Sequence, residues 1–316
     1  MLKVEMLVHN VFAANVTSLL VETASSQPPA LQPLWDLVRD GNEWMLRSTM
    51  FAPFFALVVD YLITAVFLAL NFWSGPTGWA AKYKIQSDKW LTWKECKRSL
   101  ILQAVNSVLF IYPLIFLQSL FLPDIPLPHE APSLPDFCFD ISLSAILFDF
   151  LYWAFHVAEH KSAFLYRTCH KIHHEQTNPT ALSTAHMNLM DVLVPGIIAT
   201  YVPWLAAMGR PHPFTFLVWF TIVQILSYDV HTGYDFPFGL HHFLPFYGGA
   251  PAHDMHHKMV HVCFQPWFTY LDRMFGYDAE SKLSRCGSRK PSNTDVNNVD
   301  PISGGSSIQL VTCRQS

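Results

Sequence analysis

Charge is what this sequence lacks most. Asp, Glu, Lys and Arg together make up 14% of the 316 residues, against about 25% in an ordinary soluble domain, so there is too little charge to clothe two water-facing domains. The formal net charge of −4 excludes a strongly basic nucleic-acid binder, and no basic face interleaved with aromatics argues for that partner. Cys-x-x-Cys pairs are missing too. The six cysteines stand at 96, 138, 169, 263, 286 and 313, a spacing that fits neither a disulfide framework nor a thiolate zinc site. There is no internal repeat, no Gly-rich nucleotide motif and no terminal retention address. The apolar patch around Met6 to Leu20 is broken by His9, Asn10 and Asn15, which disqualifies it as a signal peptide.

Long apolar runs and histidine fill the space these absences leave. Hydrophobic residues reach 51%. Runs over about 50–73, 100–122 and 137–155 are each long enough to cross a hydrocarbon core. Two more apolar stretches within 192–228 are joined by Gly209-Arg210-Pro211-His212-Pro213, whose prolines stop a helix, and this pair reads as a membrane hairpin. The expected fold class is all-α, a polytopic membrane helical bundle under a histidine cap. Lys82, Lys84, Lys89, Lys94, Lys97 and Arg98 place the 74–99 connection in the cytosol by the positive-inside tendency. Alternation then puts the N-terminus in the lumen, where Asn15-Val16-Thr17 is a glycosylation sequon. Residues 1–45 read as a luminal or peripheral segment, 46–280 as the membrane domain, and 281–316 as a Ser/Asn/Gly-rich disordered tail.

Most of the 16 histidines lie between His156 and His257, in three clusters: His156-Val157-Ala158-Glu159-His160, His170-Lys171-Ile172-His173-His174 and His253-Asp254-Met255-His256-His257. On a helix, positions i, i+3 and i+4 share a face, so each cluster can aim two or three imidazoles at one point. The clusters supply eight imidazoles; His231 and one of His241 or His242, with His241 preferred, raise the set to ten. One tetrahedral ion needs about four ligands, so two metal ions are expected. Imidazole alone does not select the metal; a site at the ends of membrane helices that attacks an unactivated C–H bond of a lipid needs iron rather than redox-inert zinc. Asp149, Glu159, Asp229 and Asp254 are candidates to orient the ligands, because a metal-bound histidine donates its other N–H to a carboxylate or carbonyl. Asp60, alone in an apolar run, has no such neighbour in sequence. The aromatic content of 15% suits a lipid pocket or membrane-interface belts equally.

The order H-x3-H, H-x2-HH and a distal H-D-x-HH resembles the fatty acid hydroxylase and sterol desaturase superfamily of membrane di-iron oxygenases. Leu31 to Asp36, Tyr83-Lys84-Ile85, Leu127 to Pro132, Leu165 to Thr168 and His231 to Pro237 are similar to its cholesterol 25-hydroxylase branch, over roughly residues 30–275. One position departs, since that branch has a histidine where this chain has Glu159. The resemblance implies a multi-pass endoplasmic reticulum enzyme with a cytosolic di-iron site, using O2 and NADPH-derived electrons from a separate reductase or cytochrome b5 to hydroxylate a sterol side chain. Cholesterol to 25-hydroxycholesterol is the reaction implied first. A C4-methyl sterol oxidase or fatty-acyl hydroxylase on the same site is the enzyme alternative, and a catalytically inactive sterol- or metal-binding regulator the alternative of another class. A metal transporter fits poorly, because its ligands belong inside the membrane path.

Overall fold

A computed structural model describes residues 28–120, 127–209 and 211–282. The sequon at Asn15 and the tail beyond residue 282 lie outside the described residues. The fold is all-α; among the described residues no strand forms, only the isolated bridges Lys84–Tyr234 and Tyr247–Phe268.

Among the described residues, five helices are long and apolar enough to cross a membrane. α1, Gln32–Arg39, precedes them. The five are α2, Phe51–Ser74; α3, Trp93–Val105, continued by a π-helical turn and Tyr112–Ser119; α4, Leu134–Lys161; α5, Leu189–Ala206; and α6, Pro213–His231. Beyond them lie α7, Gly249–Met259, and α8, Tyr270–Phe275. Leu62, Val66, Val108, Leu109, Ile146 and Ile197 point outward and are exposed, a face that water would penalise and lipid accepts.

Caps rather than hydropathy set where these helices start. Thr92 and Glu95 form a reciprocal capping box, which starts α3 seven residues ahead of the apolar run. Ser133 caps α4 through the backbone N–H of Asp136. That helix runs six residues past the apolar segment, because its last turns carry the first histidine cluster into a protein interior instead of lipid.

Connectivity gathers the chain at two ends. At one, the Trp35 indole donates to the Pro128 carbonyl at 2.9 Å and His212 to the Glu130 carbonyl at 3.0 Å, while Trp35, Leu46, Ala131 and Phe214 form a small core. Successive helices alternate direction, so the 75–92, 162–188 and 232–282 segments all collect at the other end. Between the ends, Phe148, Val202, Trp219 and Trp267 make the main core, with Phe148 stacked on Trp267 at 4.5 Å. Asp60 is held within the bundle by the Tyr228 hydroxyl at 2.6 Å and the Gln103 amide at 2.5 Å, so its charge acquires partners that its sequence neighbourhood did not reveal.

Candidate metal centre

Nine of the ten histidines singled out from sequence converge at that second end, in two groups. His156 and His160 come from the last turns of α4, His170 and His174 from the irregular helical segment after it, and His256 from α7; their ligand atoms all lie within 4.8 Å of one another. His173, His231, His253 and His257 form the second group within the same limit. In the first group the Nε2 atoms of His156 and His170 are 3.0 Å apart, His170 and His174 3.0 Å, His174 and His160 3.1 Å, and His174 and His256 3.1 Å. In the second, His231 Nε2 is 2.8 Å from His253 and 3.3 Å from His173, and His257 is 3.1 Å from His253.

The outer ring nitrogens explain why these inner ones cannot simply bond to each other. His156 Nδ1 donates to the Phe264 carbonyl at 2.7 Å, His231 Nδ1 to the Ser227 carbonyl at 2.7 Å, and His256 Nδ1 to the Val262 carbonyl at 2.8 Å. His170 Nδ1 donates to Asp191 at 3.0 Å. A neutral imidazole carries one N–H, so a neutral ring whose outer nitrogen donates in this way turns a bare lone pair inward. His156 and His170 thus face each other through their Nε2 atoms with both outer nitrogens already bonded. Adding protons is opposed by burial, which pushes His173, His174, His253 and His257 well below the usual imidazole range and His256 down to about 3. Nitrogens about 2.1 Å from a shared ion and at right angles lie about 3 Å apart. Buried rings that resist protonation and inner nitrogens at this spacing fit a metal cation in each group.

The carboxylates are distributed differently from the sequence expectation. Glu159 is fully buried and 3.5 Å from His170 Nδ1. Asp149 touches no histidine. It accepts from the backbone N–H of Trp267 at 3.0 Å, that of Phe268 at 3.1 Å and the Gln265 amide. Two turns separate it from His156, so it meets the distal segment at Gln265–Phe268, just after the Phe264 carbonyl that His156 uses. Asp229 accepts from the Tyr247 hydroxyl at 2.8 Å, and Asp254 from Gln86 at 2.8 Å and Lys258 at 2.7 Å. His241 lies apart from both groups, with His242 and Asp235, whose Oδ1 is 2.8 Å and 2.9 Å from the two Nε2 atoms. Its ring is packed against Gly239 and Gly249, at the start of α7, whereas the histidines of that helix sit on later turns. Asp191 is the carboxylate that sequence reasoning missed. An acidic residue in the first turn of an apolar helix was the available signal.

The comparisons agree with this geometry. The fatty acid hydroxylase family model matches residues 141–277, a span that holds all nine convergent histidines. A cholesterol 25-hydroxylase-like protein of Caenorhabditis elegans is 43% identical over 247 residues, covering 78% of this chain and 81% of that one. Cholesterol 25-hydroxylase of Rattus norvegicus is 33% identical over 267 residues, 84% of this chain and 88% of its own. The Homo sapiens protein of that name is 32% identical over 248 residues, 78% and 89%. No solved structure matches the chain. The chain belongs to the fatty acid hydroxylase family, among its cholesterol 25-hydroxylase-like members.

Proposed function

We propose that this protein is a membrane di-iron monooxygenase that hydroxylates a sterol side chain, converting cholesterol to 25-hydroxycholesterol. The observation that carries the reading is the double nest of buried imidazoles at the ends of membrane helices, in a chain related over most of its length to proteins named for that reaction. In this reading the five-histidine group holds one iron and the four-histidine group the other. The chemistry such a pair supplies when bound is reductive activation of O2, which insertion into an unactivated C–H bond requires.

The protein's own residues do the rest. Phe264, Val262 and Ser227 carbonyls and the Asp191 carboxylate fix four rings in the ligating tautomer, and burial excludes bulk water. Lys82, Lys89, Lys161, Arg167, Lys171 and Lys258 share the histidine end, whereas Asp36, Asp40, Glu43, Glu130 and Asp136 sit among few cations at the other. That asymmetry supports a cytosolic centre in the endoplasmic reticulum membrane, reached by NADPH-derived electrons through a reductase or cytochrome b5.

Lipid profiling of cells expressing the full chain tests this. The expected result is a rise in 25-hydroxycholesterol that is lost in a His173→Ala, His174→Ala double variant. Equal product from both would refute it, and C4-oxidised sterols or hydroxylated acyl chains in its place would reassign the substrate.

A further inference from the structure

Past the last membrane helix, at the histidine end, the chain turns an apolar surface outward. From Phe236 to His253 it carries no Asp, Glu, Lys or Arg, and Phe238, Phe243, Leu244 and Phe246 are exposed there, Phe243 by 69%. Met274 and Phe275 on α8 are exposed as well. Water penalises such a cluster, and a large exposed apolar patch marks a surface that meets an apolar partner.

What the patch is attached to identifies that partner. Phe236 stacks on Trp79 at 5.9 Å between centroids, and Trp79, itself exposed, stands just past Ser74, where α2 ends. Phe238 stacks in turn on Phe236 at 5.0 Å, with planes within 9°. This aromatic file begins where a membrane helix leaves the bilayer. At the other edge Phe275 packs against Trp153 of α4 at 5.0 Å, and Phe150, one turn away on α4, is exposed. The two edges are joined, because the Thr269 hydroxyl donates to the Phe246 carbonyl at 3.1 Å and the Arg273 guanidinium lies 5.9 Å from the Phe246 ring centre. The patch thus continues the lipid-facing sides of α2 and α4.

Its composition and backbone fit one zone of a bilayer. Aromatic rings with cations beside them belong at the level of the headgroups, where the ring meets acyl chains and the cation reaches phosphate. Arg273 beside Phe246, and Lys82 with Nζ 4.8 Å from the Tyr83 ring centre, supply the cations. Regular structure between Phe236 and Phe246 is confined to the short turn Leu240–His242, and so irregular a backbone cannot enter lipid-exposed hydrocarbon with its polar groups unpaired. It lies along the surface instead of crossing.

We propose that residues 236–246 and α8 form a ledge seated in the headgroup layer of the leaflet at the histidine end, with phospholipid as its partner. The ledge ties the connection between His231 and α7 to the bilayer, and those two elements supply three of the four histidines in the smaller group. The metal centre is thereby held against the leaflet. The inference rests on the membrane reading of the five helices and is independent of the reaction.

The full chain in nanodiscs of phosphatidylcholine and phosphatidylserine tests this. Photoreactive benzoylphenylalanine is placed in turn at Phe243 and Met274 of the ledge, at Leu62 on the exposed side of α2, and at Lys171, which is exposed at the same end of the molecule. Irradiation is expected to give phospholipid adducts, read by mass spectrometry of the intact chain, at Phe243 and Met274 in a yield comparable to that at Leu62, and none at Lys171. Adducts at Leu62 without any at Phe243 and Met274 overturn the ledge, as do adducts at Lys171 equal to those at Phe243. If one substituted chain does not fold, the other ledge position decides. Irradiation in membranes of cells expressing the chain adds a second arm: another protein captured at Phe243 in place of lipid assigns the patch to a protein partner and overturns the proposal.

Discussion

Replacing His231 with alanine removes one of four imidazoles from the smaller group, and the geometry makes that group the weaker one. Its Nε2 lies 2.8 Å from His253 and 3.3 Å from His173, which makes it a link between the α7 histidines and the second sequence cluster. With it gone, three nitrogens remain to hold the ion. Loss of a residue that merely orients a ligand costs about 10- to 100-fold in metal affinity, and loss of the ligand itself costs more. The five-histidine group keeps every member. Iron content of the purified chain, measured by mass spectrometry after dialysis against a weak chelator, should fall from about two ions per chain to about one. His241→Ala is the matched comparison, because His241 was as eligible by sequence yet bonds to Asp235 away from both groups. It should retain about two. The reasoning is refuted if His241→Ala loses an ion or if His231→Ala keeps both while remaining folded.

Three further outcomes follow from contacts described above. Asp191→Asn weakens the acceptor that fixes the His170 tautomer, so iron affinity should drop about 10- to 100-fold in the five-histidine group, measurable by chelator competition. Asp149→Ala orphans two backbone N–H groups and the Gln265 amide; about 2–4 kcal/mol of stability should be lost, seen as a lower Tm, and unchanged stability would remove its bracing role. Burial lowers the Lys84 amine to about 8, despite Asp254 nearby, which raises it. Between about pH 8 and 10.5 the unfolded chain therefore binds more protons than the folded one, and stability should rise with pH by at most about 3 kcal/mol. Lys84→Met should flatten that rise in a Tm series, and an unaltered slope would show that Lys84 is not its source.

The sequence made the helices and the imidazole supply legible because both rest on period. Apolar runs announce themselves by length, and i, i+3, i+4 spacing puts His253, His256 and His257 within reach of one another whatever the tertiary fold. What it could not show was direction. Asp149 shares a helical face with His156 but sits two turns lower, and that displacement sends it to the Gln265–Phe268 backbone. His241 is ruled by the turn at Gly239 and the start of α7, which depend on packing rather than pattern. The Phe264 and Val262 carbonyls left no trace at all, since every residue has one. Asp191 did leave a trace, as an acid in the first turn of an apolar helix.

The contact from His156 to the Phe264 carbonyl joins residues 108 positions apart, and it carries a consequence for biosynthesis. Among the described residues, every helix long and apolar enough to cross a membrane is complete by residue 231, whereas three of the nine histidines and the carbonyls that orient two rings arrive between 253 and 264. A chain interrupted after α6 would carry all of these helices yet leave the five-histidine group one imidazole short and the four-histidine group two short. Formation of the membrane helices and completion of the two histidine groups are thus separate events along the chain.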